Sequence, residues 1–185
     1  MKNRYSLFLM FVLFISNSYS QRNYKAISWG AEAGYINGTF TSSGNSAYSR
    51  LATGESGSTS GFFVGVNAHL NFDQNFVVKP ALLYSNTQDL SWLHLPVLVK
   101  YYITEQFNVL AGPQLTVLIE DTNGGMNSIG LDIGAGIGFD ITEDFFLEGR
   151  YNFEITDRFS GVSYMPSGVS GRYNTLIIGI GYKFL

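Results

Sequence analysis

Few side chains in this sequence of 185 residues could do acid–base or nucleophilic chemistry. There are two histidines, His69 and His94, and there is no cysteine. His94, with the nearby Ser91 and Asp89, has the residue types of a serine hydrolase, in which an imidazole takes the proton of the attacking hydroxyl. No GxSxG or HExxH motif supports that chemistry, and the lack of cysteine excludes thiol nucleophiles, zinc–thiolate sites and disulfide scaffolds. The sequence therefore predicts no catalytic residue, and a hydrolase centred on His94 stays an alternative.

Cofactor, metal and nucleic-acid sites are not indicated either. The run 134–138 (GAGIG) lacks the GxGxxG spacing of a nucleotide-binding loop and does not lead into a helical pattern. His69 and His94 fall near opposite ends of the strands described below, too far apart to share a metal ion. With 11 basic and 14 acidic residues the chain has a net charge of −3, which does not attract a polyanion. We expect no cofactor, no metal and no nucleic-acid partner.

The first residues have the pattern of a secretory signal peptide. Lys2 and Arg4 precede the unbroken apolar run 7–15, and a polar stretch ends in Ser20. As a helix this apolar run spans only about 14 Å, half of a hydrocarbon core of about 30 Å, which disfavours a membrane anchor. We predict a cleaved signal peptide over 1–20, a short N-terminal extension over 21–26 and a single domain over 27–185.

From residue 27 onward the hydrophobicity alternates with a period of two, which is typical of β-strands whose side chains point to opposite faces. Only 14% of the residues are charged, well below the roughly 25% that is usual in soluble domains. The alternating runs are 27–36, 61–72, 76–85, 91–103, 107–119, 129–141, 145–155 and 173–184. One face of every run is apolar and uncharged. The ionisable residues of the opposite face are Glu32, His69, Lys79, His94, Lys100, Asp132, Asp140, Glu148, Arg150, Glu154 and Lys183.

Short and long connections alternate along the chain. The short ones are polar triplets between large apolar residues, which is typical of tight hairpins, at 73–75, 104–106 and 142–144. The long ones are rich in Gly, Ser and Asn, at about 37–60, 86–90, 120–128 and 156–172. Outer-membrane barrels have this asymmetry, with short periplasmic turns and long extracellular loops. We therefore predict an all-β, eight-stranded antiparallel up-and-down transmembrane β-barrel in the outer membrane, with both termini periplasmic and the long loops extracellular.

The alternation itself does not decide which face points outward. A soluble, lipocalin-like barrel would turn the apolar face inward around a ligand. We favour the membrane barrel because aromatic residues cluster near the ends of the apolar face, as in the girdles at membrane interfaces. The polar face also holds the small residues that a narrow lumen requires.

The polar face is expected to fill the lumen as a plug of paired charges, since eight-stranded barrels are usually filled by side chains. Buried cations are costly without partners, so the lysines and Arg150 on this face are expected to bind carboxylates. The hairpin registers predict the opposed positions Asp132 and Glu154, Gly136 and Arg150, and His69 and Lys79. Beside an ammonium group, His69 is expected to be neutral.

Four runs resemble motifs of a known family: VKPALLYS (78–85), LHLPVLVKYY (93–102), AGPQL (111–115) and FLEGRY (146–151). They are similar to strand motifs of the PorT-like, or "porin family", outer-membrane β-barrels of Bacteroidetes, over about 76–184. The resemblance implies a non-enzymatic barrel with a structural or partner-binding role in the cell envelope, accessory to export or surface attachment. It also implies that the barrel-assembly machinery reads the terminal aromatic residue, here Phe184 followed by Leu185. Ala81 stands where the family often has Glu.

Two other functions stay open. A narrow small-solute channel would be recognised by its conductance and by an effect of Arg150→Ala. An outer-leaflet lipid hydrolase would lose lipid turnover in His94→Ala. The loop 37–60 is rich in Ser and Thr and is either a solvated loop or a receptor or adhesion patch. The expected partners are outer-membrane lipid, the barrel-assembly machinery and a possible envelope protein.

Overall fold

The computed structural model of the chain describes residues 26–44, 57–88, 90–120, 126–160 and 169–184. The strands are β1 (Ile27–Gly44), β2 (Gly57–Asn71), β3 (Phe76–Thr87), β4 (Leu90–Tyr102), β5 (Phe107–Leu118), β6 (Ile129–Asp140), β7 (Phe145–Glu154) and β8 (Val169–Phe184). Each strand pairs antiparallel with the next, and β8 pairs with β1 to close the barrel. The prediction of an eight-stranded antiparallel up-and-down barrel is confirmed. The predicted signal peptide over 1–20 and residues 21–25 of the extension lie outside the described residues.

The three short turns set the register of the barrel. In each, the residue before the polar triplet donates its backbone N–H to the carbonyl of the residue after it, at 3.0 Å for Phe72 to Phe76. β6 and β7 pair Gly136 with Arg150, as the hairpin predicted. Both ends of the described barrel lie at this turn end, because the last β8 residue, Phe184, pairs with the start of β1. No helix in the described ranges is long and apolar enough to cross a membrane.

The apolar face of the barrel points outward. Trp29 of β1 is 66% exposed, while none of the ionisable residues predicted for the other face is more than 8% exposed. The lipocalin-like alternative is therefore wrong, since it requires the apolar face inside. Aromatic rings contact each other across neighbouring strands at the turn end, Phe76 with Tyr101 at 6.0 Å and Phe145 with Tyr182 at 4.8 Å between ring centroids. Such a belt is typical of the membrane interface.

Prolines in β3, β4 and β5 interrupt the hydrogen-bond ladder without shifting its register. The β2–β3 ladder lacks pairs between 68–69 and 79–80, the β3–β4 ladder between 81–82 and 95–96, and the β4–β5 ladder between 97–98 and 112–113. In each case the pairing resumes with an unchanged offset, so no residue is inserted and no bulge forms. Because proline has no N–H, it removes ladder bonds locally. The predicted pairing of His69 with Lys79 falls in the first of these gaps.

β1, β2 and β8 are longer than the hydrophobic alternation predicted. The predicted loop 37–60 is strand as far as Gly44 and again from Gly57, and β8 begins at Val169. β1 keeps its pairing there, with Phe40 opposite Gly57 and Gly44 opposite Val169. The apolar alternation of β1 ends at about Tyr35, whereas its backbone pairing continues through the polar residues beyond. Hydrophobic periodicity therefore underestimates the length of such strands.

The middle of the lumen is apolar, which the sequence analysis did not predict. Ile36, Phe63, Leu83 and Ile177 form a cluster on the inward face, each at most 2% exposed. Phe63 has room because Gly34 lies opposite it on β1, where any side chain would collide with the ring. This apolar layer is contributed by the adjacent strands β8, β1, β2 and β3, and it lies between an ionic half of the lumen near the turns and a polar half near the long connections. We call them the turn-end half and the loop-end half.

Candidate functional site

The residues predicted to form the polar network all lie on the inward face and are almost completely buried. They are Glu32, His69, Lys79, His94, Lys100, Asp132, Asp140, Glu148, Arg150, Glu154 and Lys183. Side chains that are distant in sequence meet at one level of the barrel because every strand turns alternate residues inward. The structure groups most of them into two clusters, one in each half of the lumen.

The turn-end half holds an ionic cluster centred on Glu148 of β7. Its carboxylate accepts hydrogen bonds from Lys79 of β3 at 2.6 Å and from Lys100 of β4 at 2.8 Å. Lys79 also donates to Glu32 of β1 at 3.1 Å. Since four strands contribute to this cluster, the ion pairs fix the strands relative to one another from the inside.

A second ion pair lies closer to the turns. Lys183 Nζ donates to Asp140 Oδ2 at 2.8 Å, and the hydroxyl of Tyr102 donates to the same oxygen at 3.1 Å. The ring of Phe146 lies beside a lysine from the Glu148 cluster and the lysine of this second pair. Lys100 Nζ is 5.1 Å and Lys183 Nζ is 5.8 Å from its centroid. Ion pairing and cation–π contact together offset the cost of removing these ammonium groups from water.

His69 lies beside this cluster without a hydrogen bond from its Nε2 atom to any described residue. Its ring packs edge-on against Phe146, with 5.3 Å between centroids. His94 lies in the other half of the lumen, so the two histidines form no common site. In the described part of the chain no group of three His, Asp or Glu residues has a geometry that could hold a metal ion.

His94 contacts residues other than those considered for a hydrolase. Its Nε2 atom is 2.9 Å from Ser85 Oγ, and its Nδ1 atom is 3.3 Å from the amide nitrogen of Gln114. Ser91 lies three residues away on the same strand, so its side chain points to the opposite face. Asp89 lies outside the described residues. The hydrolase alternative therefore lacks the Ser91–His94 contact that it would require.

Ser85 and His94 form a serine–histidine pair that is closed to substrate. Both residues are 0% exposed. On its other side the imidazole faces the Gln114 amide and the Thr116 hydroxyl, and no carboxylate of the described residues bonds to it directly. Because nucleophilic catalysis needs an accessible hydroxyl and an oriented base, this arrangement supports a structural hydrogen bond.

Asp132 and Arg150 are the buried charges of the described lumen that lack a close counter-ion. Asp132 Oδ2 accepts hydrogen bonds from Thr116 and, at 2.9 Å, from Gln114, whereas Oδ1 has no partner. Arg150 Nη1 lies 3.9 Å from Glu148, and the Nε and Nη2 atoms have no partner. Ordered water usually satisfies such groups, so we expect water in this stretch of the lumen.

Arg158 closes the loop-end half, although it is not among the residues that the alternating pattern indicated. Its guanidinium is fully buried, bonded to Glu154 and to the backbone carbonyls of Asn127 at 3.1 Å and Ser128 at 3.0 Å. It also lies 5.3 Å from the ring centroid of Trp92. Arg158 belongs to a connection, where hydrophobic periodicity carries no signal. Its position four residues after Glu154 is the only sequence feature that suggests the pair.

The segment 156–160, which carries Arg158, is hydrogen-bonded to β8. The Arg158 N–H donates to the carbonyl of Gly171 at 2.8 Å, and the Gly171 N–H donates to Asp157 Oδ1 at 2.8 Å. Under the guanidinium, Trp92 stacks on Tyr173 with 4.4 Å between ring centroids. These contacts close the described part of the barrel mouth with a guanidinium, two rings and hydrogen-bonded backbone.

Glu120 lies just beyond β5, outside the membrane-spanning strands, and accepts hydrogen bonds from the beginning of β4. The Ser91 N–H donates to its two carboxylate oxygens at 2.8 and 2.9 Å. Burial opposes ionisation, but the hydrogen bonds from Ser91 outweigh it and lower the pKa of Glu120 below its ordinary value.

Comparison with known proteins agrees with this architecture. A family model described as outer membrane protein beta-barrel domain matches residues 6–184. Among solved structures, Ail of Yersinia pestis, in complex with the heparin analogue sucrose octasulfate, is 16% identical with a TM-score of 0.50 over 86% of this chain and 100% of that one. OprG of Pseudomonas aeruginosa is 15% identical with a TM-score of 0.45, over 89% and 99% of the two chains. Neisserial surface protein A is 16% identical with a TM-score of 0.46, over 86% and 100%. No curated protein matches the sequence.

Proposed function

Because this chain belongs to the outer membrane protein beta-barrel domain family, we propose that it is a non-enzymatic barrel whose lumen is a closed core and whose long-loop end binds a partner in the cell envelope. The observation that carries this proposal is the filling of the lumen. An ionic cluster, an apolar layer and the buried Arg158 follow one another from the turns to the mouth. Such a filled barrel has its binding surfaces outside the lumen.

The proposed orientation places the short turns and both termini in the periplasm and the long connections outside the cell. It is supported by the different lengths of the two sets of connections. In this arrangement residues 1–20 are a signal peptide that is removed, 21–26 a short extension and 27–185 the barrel. The barrel-assembly machinery would recognise the terminal strand by the aromatic side chain of Phe184, which is exposed on the outer wall.

The proposed partner role follows the resemblance to PorT-like proteins of Bacteroidetes, and it is accessory to export or surface attachment. The motif residues on the inward face are part of the closed core, with Lys79 and Lys100 in the ionic cluster and Leu83 in the apolar layer. These motifs therefore support the architecture of the barrel and leave the specificity for a partner to the long-loop end.

Cross-linking in intact cells tests the partner role, since the chain contains no cysteine of its own. We would place one cysteine in a short turn, Glu105→Cys, and one in a long connection, Ser167→Cys. The proposal predicts a discrete adduct from Ser167→Cys and none from Glu105→Cys. Adducts from the turn alone would place the partner in the periplasm. No adduct from either position would contradict a partner-binding function.

A narrow small-solute channel is the second candidate, and the unpaired atoms of Arg150 and Asp132 favour it. If water in this stretch were continuous with both ends of the barrel, small solutes could follow it. Measurements of conductance in planar bilayers separate the two candidates. A channel would conduct in the wild type and change its conductance in Arg150→Ala, whereas a closed core would be silent in both proteins.

A further inference from the structure

The ionic cluster around Glu148 holds more positive than negative charge. Three cations meet in it, Lys79, Lys100 and Arg150, together with the two carboxylates of Glu148 and Glu32. None of these five residues is more than 5% exposed. With every group ionised, one positive charge of the cluster has no counter-charge among the described residues. A charge that is removed from water without compensation is costly, so this surplus requires an explanation.

The two lysines occupy the carboxylates of the cluster. Glu148 accepts a hydrogen bond from Lys79 at Oε2, at 2.6 Å, and from Lys100 at Oε1, at 2.8 Å. Lys79 also donates to Glu32 at 3.1 Å. Arg150 comes no closer to Glu148 than 3.9 Å, which is beyond the distance of a hydrogen bond. The surplus charge therefore resides on Arg150.

One complete edge of the Arg150 guanidinium has no partner among the described residues. Nη1 is the atom that approaches Glu148, whereas Nε and Nη2 form no hydrogen bond to a described residue. The N–H groups of Nε and Nη2 point in the same direction and form the fork with which arginine binds carboxylates and other anions. Both nitrogens are shielded from bulk solvent. The fork is thus directed into the interior of the lumen.

The residues that pair with Arg150 on the adjacent strands offer the fork no acceptor side chain. They are Gly136 of β6 and Ile177 of β8. Gly136 lets the stem of the arginine lie against the wall, because a Cβ atom at this glycine would be 2.7 Å from Arg150 Cβ. Ile177 belongs to the apolar layer. No carboxylate from these positions can therefore compensate the charge of Arg150.

Asp132, the other buried charge without a close counter-ion, lies too far along the wall to pair with Arg150. It is four residues from Gly136 on β6, about 13 Å of strand, on the side of the long connections. Arg150 reaches in the other direction, since its Nη1 atom approaches Glu148 on the turn side. A direct ion pair between Arg150 and Asp132 is therefore absent from this arrangement.

We propose that the fork of Arg150 binds one small monovalent anion, of the size of chloride or formate, inside the closed lumen. Water satisfies N–H groups, but it carries no charge that would offset the third cation of the cluster. The charge surplus therefore selects an anion, and the fork selects one that accepts two parallel hydrogen bonds. The packed lumen restricts its size. This site goes beyond the proposed function, because it adds a ligand to the closed core and does not involve the partner-binding end.

The dependence of stability on the anion tests this site, since a ligand that binds only the folded state stabilises it with increasing concentration. The barrel is folded from urea into detergent micelles in sodium gluconate, which is replaced stepwise by sodium chloride or sodium formate at constant ionic strength. Gluconate is too large for the enclosed site and serves as the reference. The anion is added before folding, so it can enter a lumen that is closed afterwards. Urea unfolding then measures stability.

Two variants separate binding at the fork from a general effect of salt. Arg150→Gln removes the fork together with the surplus charge and leaves two lysines with two carboxylates. Arg172→Gln removes an exposed arginine of β8 and is the matched control. Once the free anion exceeds its Kd, each tenfold increase should raise the folded-to-unfolded ratio about tenfold in the wild type and in Arg172→Gln. In Arg150→Gln we expect a change of less than about twofold, because the unsaturated site is gone.

The anion that gives the larger rise shows whether the fork prefers a halide or a carboxylate. An equal rise in Arg150→Gln and in the wild type would overturn the site and indicate a general salt effect. A wild-type stability that is the same in all three salts would also overturn it. That result would mean that water bonds to the fork and that one lysine of the cluster is neutral, and it requires no variant to fold.

Discussion

The two halves of the lumen are closed in different ways. In the turn-end half, Glu148 binds two lysines that come from other strands, so the regular wall supplies both charges of each pair. In the loop-end half, the cation that binds Glu154 is Arg158, which comes from the connection after β7. Strand register alone therefore specifies the turn-end core, whereas the loop-end core exists only when a connection folds back over the mouth.

Removal of the shared carboxylate should affect the turn-end half most. In Glu148→Gln, Lys79 and Lys100 lose their common counter-ion while they remain buried, and we expect a loss of about 3–5 kcal/mol in the free energy of unfolding. Urea unfolding of the protein folded into lipid vesicles measures this loss. Glu143→Gln, in an exposed turn, is the matched control and should change stability by less than about 0.5 kcal/mol. A loss in Glu148→Gln of only about 1 kcal/mol, the size for an exposed ion pair, would mean that water reaches the lysines.

Removal of the loop-end cation should cost less. Arg158→Ala leaves Glu154 its hydrogen bond from the Tyr173 N–H, and water can enter from the mouth, so we expect a loss of about 2–3 kcal/mol. The same unfolding experiment measures it. Arg172→Ala removes the same charge at an exposed position on β8, where no described residue forms an ion pair with it, and serves as the control. Equal losses in Arg158→Ala and Arg172→Ala would show that the mouth is not closed by this contact.

Glycines on the two faces of the wall differ in the space around them, because the inner face is packed and the outer face is open. A Cβ atom at Gly181 would lie 2.5 Å from Phe146 Cε1, whereas one at Gly149, on the outer face, would meet no atom within 4 Å. Gly181→Ala should therefore destabilise the barrel by about 2 kcal/mol through overpacking. Gly149→Ala should leave stability unchanged or raise it by about 0.5 kcal/mol. Thermal unfolding of the two variants side by side compares them, and similar stabilities would contradict a filled lumen.

The smallest expected effect concerns the pH dependence of the loop end. The pKa of Glu120 is lowered in the folded protein by hydrogen bonds from the Ser91 N–H, so the folded state favours the ionised carboxylate. The stability that this contributes is present above the ordinary carboxyl pKa of about 4.3 and is lost as the pH falls through the lowered folded-state value. Unfolding measured from neutral to acidic pH should be less pH-dependent in Glu120→Gln. Identical profiles for variant and wild type would contradict the assignment.

The same contrast explains what could be predicted from the sequence. Strict alternation placed Glu148, Lys79 and Lys100 on the inward face, and the triplet turns fixed the register that brings Asp132 opposite Glu154. These features follow from period two and loop length alone. Which counter-ion a charged side chain binds depends on how far the side chains reach, and strand register does not show this. Glu154 lies opposite Asp132 but binds Arg158.

Features without periodicity could not be predicted. The apolar layer contains Ile36 and Leu83, which share the inward face with charged and polar side chains, so the alternation alone does not reveal that they form a cluster. The length of β1 beyond Tyr35 depends on backbone pairing among polar residues, which leaves no hydrophobic signal. Ser91 was grouped with His94 because they are close in sequence, although residues three apart on a strand face opposite ways.

The proposed function requires a lumen that is closed from the turns to the mouth. Single-molecule conductance of the wild-type barrel in planar lipid bilayers tests it most directly, with folded insertion verified by protease protection of the same samples. With a closed lumen, inserted barrels give no discrete current steps across the range of voltages a bilayer tolerates. Reproducible steps from inserted wild-type protein would contradict it and would establish the hydrated stretch beside Arg150 and Asp132 as part of a conducting path.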